Sequence, residues 1–103
     1  MVVDILDMVL HAGKKRRSIR DFTRKVIKLS EETGELSEAF LGVTSKINRK
    51  HKKWEDVREE AIDVAIIALD IALKCRLPGD PRTNVIKWFK RKVGKWTKRK
   101  QKI

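Results

Sequence analysis

The chain is poor in the residues that punctuate or staple a fold: five Gly, two Pro and one Cys in 103 residues. So little Gly and Pro excludes collagen-like and low-complexity chains, and an apolar fraction of 41% is too high for a disordered one. A single cysteine, Cys75, forms no internal disulfide, which fits a reducing cytoplasm. No apolar run approaches the ~20 residues of a membrane-spanning helix. Met1 to Leu10 is apolar, yet it carries Asp4 and Asp7 and has its cations after it, the wrong order for a secretory signal. The expectation is a cytoplasmic protein without a membrane partner, built as one domain over residues 1–103.

Acid is also absent from one long stretch. Residues 81–103 hold ten cations and no Asp or Glu, so the chain has a strongly basic C-terminal helix or tail from about residue 82. Overall 26 Lys and Arg face 14 Asp and Glu, a net charge of +12, which implies an anionic partner of some kind. Nine of the 14 acids collect between residues 31 and 63, in two groups separated by the basic stretch Lys46 to Lys53. An acidic centre inside a basic protein suggests a cation site that faces an anionic substrate. The run Lys14-Lys15-Arg16-Arg17 has the composition of a nuclear-localisation or nucleic-acid patch, but such runs are usually solvated charge.

Period-two alternation is not sustained anywhere, so the fold class expected is all-α, a small bundle of three to four helices completed by oligomerisation. A first helix is expected over residues 3–12, stopped by Gly13. A second runs from an N-cap at Ser18 to about Leu41 or Val43, its apolar stripe formed by Phe22, Val26, Leu29, Leu36, Phe40 and Val43 with Thr33 in the gap. Gly42 and the polar residues to Lys53 read as a loop. A third helix follows from about Trp54 to Cys75, with Val57, Ala61, Val64, Ala68 and Ile71 on its stripe. Leu77-Pro78-Gly79 makes a turn, and Asp80-Pro81 opens a fourth helix to about Lys98. From Ala61 to Leu73 the third helix is apolar almost all round, which a short chain cannot surround alone; hence the expected homodimer or homotetramer. Cys75 and the aromatic residues are expected in the core, while His11 and His51 stand isolated, with no ligand-spaced partner.

Glu32 and Glu35 are three residues apart on the second helix, and Glu60 and Asp63 are three apart on the third. At ~100° per residue, Glu32 and Glu35 fall about 280° and 220° from Phe22, and Glu60 and Asp63 about 300° and 240° from Val57. Both pairs therefore lie just off one edge of the apolar stripe, where two packed helices can point four carboxylates at one place. Acids at such spacing often form only a solvated face. Here, however, Glu31–Glu35, Glu32–Glu35 and Glu35–Glu38 are like-charge neighbours, each costing ~0.2–0.5 kcal/mol on an isolated helix. Asp63, between Ile62 and Val64, also needs a partner such as Arg58, a lysine or a metal. An all-oxygen donor set suits Mg²⁺, with Mn²⁺ as substitute, better than zinc.

Glu31-Glu32-Thr33-Gly34-Glu35 followed by Glu60-Ala61-Ile62-Asp63 has the form E-E-x-x-E … E-x-x-D. Together with Lys28-Leu29, Leu36 and the approach Trp54-Glu55-Asp56-Val57-Arg58-Glu59, this resembles the MazG-type all-α nucleoside triphosphate pyrophosphohydrolases, a family related to the dimeric dUTPases. The resemblance spans roughly residues 22–75. It implies Mg²⁺-dependent cleavage of a (d)NTP between its α- and β-phosphates, giving the monophosphate and pyrophosphate. It further implies Glu32, Glu35, Glu60 and Asp63 as metal ligands, with Glu31 positioning or deprotonating the attacking water. Members of that family often carry a lysine, an asparagine and an arginine at helical spacing on the last helix to hold phosphates. This chain has no asparagine after Asn84, and Lys87, Arg91 and Lys95, which share one face, are the candidates for that role. Trp54, bordering the loop nearest the carboxylates, is the candidate for base stacking. Two other readings compete: a non-enzymatic, basic, helical nucleic-acid-binding protein, and an enzyme whose basic tail also tethers it to nucleic acid.

Overall fold

The computed structural model describes residues 4–12, 19–45 and 51–101, and these form four helices and no strand. They are α1 (Ile5–Ala12), α2 (Ile19–Thr44), α3 (Trp54–Leu73) and α4 (Pro81–Gln101). The all-α expectation holds, with helix limits close to those read from the sequence. Gly42 is not in the loop: it stays inside α2, which runs on to Thr44. Gly13, Ser18, the Lys14–Arg17 run and Lys46 to Lys50 lie outside the described residues.

Short polar contacts set the helix starts. Asp4 accepts a hydrogen bond from the Asp7 backbone N–H at 2.8 Å, and Asp80 accepts from the Thr83 backbone N–H at 3.0 Å and the Thr83 hydroxyl at 2.6 Å. Each satisfies a donor that the first helical turn leaves unpaired. At α3 the relation is reversed: the Asp56 carboxylate accepts from the Lys53 backbone N–H at 2.8 Å. Between α3 and α4 the chain turns through Gly79 at φ +96°, a left-handed conformation that side chains rarely adopt. A Cβ there would also lie 2.8 Å from the Asn84 amide nitrogen.

α3 is the central element. α2 packs along it antiparallel: Phe40, near the end of α2, meets Trp54 at the start of α3, and Lys25, early in α2, pairs with Asp70 late in α3 at 2.8 Å. At the far end of α3, Leu73 joins Val9 of α1 and Val85 of α4 in a small apolar cluster backed by Leu6, Leu10 and Leu69. Arg82 clamps α1 to the start of α4 through Asp4 and, at 3.0 Å, Asp7.

The seam between α2 and α3 is rotated from the one expected. Val26 and Thr33 are exposed on α2 and Phe40 is only partly covered, by Trp54, while Glu32 and Ala39 are buried on the face that carries Leu29, Leu36 and Val43. On α3, Ala61 and Ala68 are exposed, and the half-buried row runs Val57, Glu60, Val64, Ile67 and Ile71. Ala39 is fully covered.

The aromatic core expected from sequence is not there in the single chain. Trp54, Trp88, Phe89 and Trp96 are each more than half exposed, and Cys75 is exposed because α3 ends before it. α4 splays from α3 to leave an open apolar cleft of about 1000 Å³ lined by Ala65, Ala68, Leu69, Trp88, Val93 and Trp96. The radius of gyration, 16.4 Å, exceeds the ~13 Å of a compact chain of this size for the same reason. Among the described residues no helix is long and apolar enough to cross a membrane.

Leu73, 1% exposed, is the side chain that ties α1 and α4 to α3. Leu73→Ala is expected to lower unfolding stability by ~2–5 kcal/mol in urea titrations followed by circular dichroism. A loss under ~0.5 kcal/mol, the range of ordinary surface changes, would show that the cluster does not hold these helices together.

Candidate metal centre

The rotated seam brings carboxylates from two helices face to face. One carboxylate oxygen each from Glu32, Glu60 and Asp63 lies within 4.8 Å of the others, Glu32 being buried and the other two half-buried. Two of the oxygens, Oε2 of Glu32 and Oε2 of Glu60, are buried without a hydrogen-bond partner among the described residues. Buried acceptors of that kind are normally paired, and here two belong to one group of acids.

Electrostatics gives the same picture. Burial pushes the Glu60 carboxyl above the ordinary glutamate range, and the charges of Glu35, Asp63 and Glu32 push it further, as does a hydrogen bond shared with Glu35. Glu35 is thereby drawn into the group although its side chain is exposed. Three of the four carboxylates expected as ligands thus converge, and Glu35 is near enough to Glu60 for its charge to be felt there. Among the described residues no ion pair joins Asp63 to Arg58 or to a lysine, so its nearest company is acidic.

One cation does reach the group. Lys28 places its ammonium 3.1 Å from Glu32 Oε1 and 3.9 Å from Glu31, and its pKa is raised chiefly by the hydrogen bond to Glu32. The sequence reading used Lys28 only as context for the motif. Its spacing of four from Glu32 was the available signal for a direct pair. Glu31 itself is exposed at the edge of the cluster.

A second polar group sits on the same seam, seven residues along α3. Asp70 takes Lys25 from α2 and Lys74 from α3, the latter 3% exposed. Burial pushes the Asp70 carboxyl up, but the hydrogen bonds from Lys25 and Lys74 outweigh it and hold its pKa below the ordinary value. Here two cations meet one acid. At the Glu32–Glu60–Asp63 level the acids are in excess, and the donor set there, oxygen only and anionic, is of the type that suits a hard divalent cation.

The other residues singled out from sequence are placed elsewhere. Trp54 stays 62% exposed, its ring edge-to-face with Phe40 at 6.1 Å between centroids, so a flat aromatic surface is open near the loop end of the seam. Lys87, Arg91 and Lys95 are exposed on α4, whose cleft with α3 begins at Ala65, and no ion pair among the described residues joins them to the carboxylates. Within one chain the structure does not bring them to the cluster. No family model, curated protein or solved structure matches this chain.

Glu60 generates a direct test. Its folded-state pKa lies above the ordinary value, so the stability it contributes is complete below the ordinary glutamate range and lost as pH rises through the raised pKa. In chelator-treated protein, Glu60→Gln is expected to melt at a higher temperature than the parent at pH 7.5, with the gap closing towards pH 4. A variant that melts lower than the parent at pH 7.5 would mean that the ionised carboxylate is favourably paired.

Proposed function

We propose that the protein is a Mg²⁺-dependent nucleoside triphosphate pyrophosphohydrolase that cleaves a (d)NTP between the α- and β-phosphates. The observation that carries this reading is the convergence of Glu32, Glu60 and Asp63 from two antiparallel helices, with unpaired buried oxygens and Glu35 alongside. The motif resemblance supplies the reaction class; the donor set supplies the reason for a hard cation.

In this reading Glu32, Glu35, Glu60 and Asp63 hold the ion. When bound, Mg²⁺ (or Mn²⁺) supplies Lewis acidity at the phosphoryl oxygens and lowers the pKa of coordinated water. Glu31, exposed at the edge of the cluster, orients a water and accepts its proton. The water oxygen bonds to the α-phosphorus as the bond to the bridging oxygen breaks, and pyrophosphate leaves. Lys28, already beside Glu32, turns its ammonium to the incoming polyphosphate and offsets its charge. Trp54 offers its open ring to the base.

The functional unit in this reading is a homodimer or homotetramer. Its support is the uncovered apolar surface: the cleft between α3 and α4, and the outward Ile62 and Ile66 of α3, both about half exposed. Lys87, Arg91 and Lys95 take the outer phosphates only where assembly brings α4 of a second copy over the carboxylates.

Incubating the protein with each NTP and dNTP plus Mg²⁺ is expected to release pyrophosphate from at least one of them, and a chelator is expected to stop it. Glu35→Gln and Asp63→Asn should each lower kcat by at least ~10²-fold, the scale expected for losing an electrostatic group that acts on the transition state, with the helical circular dichroism intact. Absence of release from every substrate, or full turnover in both variants, would remove the assignment.

A further inference from the structure

α4 has two sides of different character. Val85, Trp88, Val93 and Trp96 line the cleft against α3, with Lys92, Lys95 and Arg99 on the same wall. At ~100° per residue, Lys90, Lys87, Lys98 and Arg91 fall within an arc of roughly 100° on the opposite side, and all four are exposed. From Lys87 to Lys98 this strip is about 16 Å long at ~1.5 Å per residue.

The strip is not compensated from within the chain. α4 contains no acid, and among the described residues the ion pairs reach only Arg82 at its start. Arg91 lies over the Trp88 ring at 5.1 Å, which orders the guanidinium without neutralising it. Lys87 and Arg91, Arg91 and Lys95, and Lys95 and Lys98 are like-charge neighbours at spacings of three or four, a mutual repulsion that a helix of this length has no internal means to relieve. A polyanion laid along the strip relieves it.

We propose that, wherever Lys87 and Arg91 are not engaged by a triphosphate, the outward face of α4 docks the phosphate backbone of a nucleic-acid duplex, through Lys87, Lys90, Arg91 and Lys98 and without regard to sequence. Two features select this occupant. A duplex carries one charge per ~1.7 Å of axis, so a 16 Å strip meets several phosphates at once. Single strands are normally held by stacking on aromatic rings, and the tryptophans of α4 line the cleft on the other side.

The test uses the full chain and a fluorescently labelled 20-bp mixed-sequence duplex, read by anisotropy. With about four phosphates neutralised, log affinity is expected to fall with log salt at a slope near −3.6, so that raising KCl from 50 to 200 mM weakens binding by ~10²-fold. Lys90→Glu with Lys98→Glu, two residues with no part in the proposed hydrolase site, should weaken binding at least ~10-fold and flatten the slope by about two. The helical circular dichroism should be unchanged. No duplex binding at 50 mM KCl, binding insensitive to salt, or binding retained by the double variant overturns the proposal. So does tighter binding to a single strand or to phosphatidylglycerol vesicles than to the duplex. Pyrophosphate release is a separate readout and does not enter this result.

Discussion

The packing of α2 against α3 forces like charges together. Glu32 is 7% exposed in the seam, and Glu60 and Asp63 meet it from the other helix, with no described cation other than Lys28 within pairing distance of the group. Ordinary helix packing places apolar side chains at such positions, because uncompensated buried carboxylates oppose folding. The rest of the molecule is arranged around that tension. Lys28 satisfies one oxygen of Glu32, while Oε2 of Glu32 and Oε2 of Glu60 have no hydrogen-bond partner among the described residues.

The Asp70 group shows what the same seam looks like when its acid has cations to pair with. Lys25 and Lys74 hold Asp70 ionised, link α2 to α3, and leave no demand for a further charge. The two groups lie about two helical turns apart, one neutralised by side chains and the other not. That contrast sets the Glu32–Glu60–Asp63 group apart: its acids outnumber the one described cation that reaches them. A lysine in place of any of its acids would have given a structural ion pair instead.

Much of the fold was legible in the sequence. Asp80-Pro81 marked the start of α4, and the carboxylate spacing placed Glu32, Glu35, Glu60 and Asp63 on facing helices. Hydrophobic periodicity misses the rotation of the seam, because it scores Val26, Phe40, Ala61 and Ala68 by type, whereas the two buried residues of α2 are Glu32 and Ala39. For the same reason the carboxylates were expected beside the seam rather than in it. The aromatic residues of α4 were assigned to a core that one chain does not close. Their periodicity was real, but it describes the face of a cleft that α3 alone does not fill. Lys28 and Lys74 escaped because lysines are read by default as solvated.

The central claim is that the carboxylate seam exists to hold a divalent cation. Isothermal titration calorimetry of Mg²⁺ into metal-free protein addresses it without reference to any substrate. The account predicts saturable uptake that is abolished in Asp63→Asn and accompanied by proton release near the raised pKa of Glu60. Absence of saturable Mg²⁺ and Mn²⁺ uptake by the parent protein, or uptake undiminished in the variant, would contradict it.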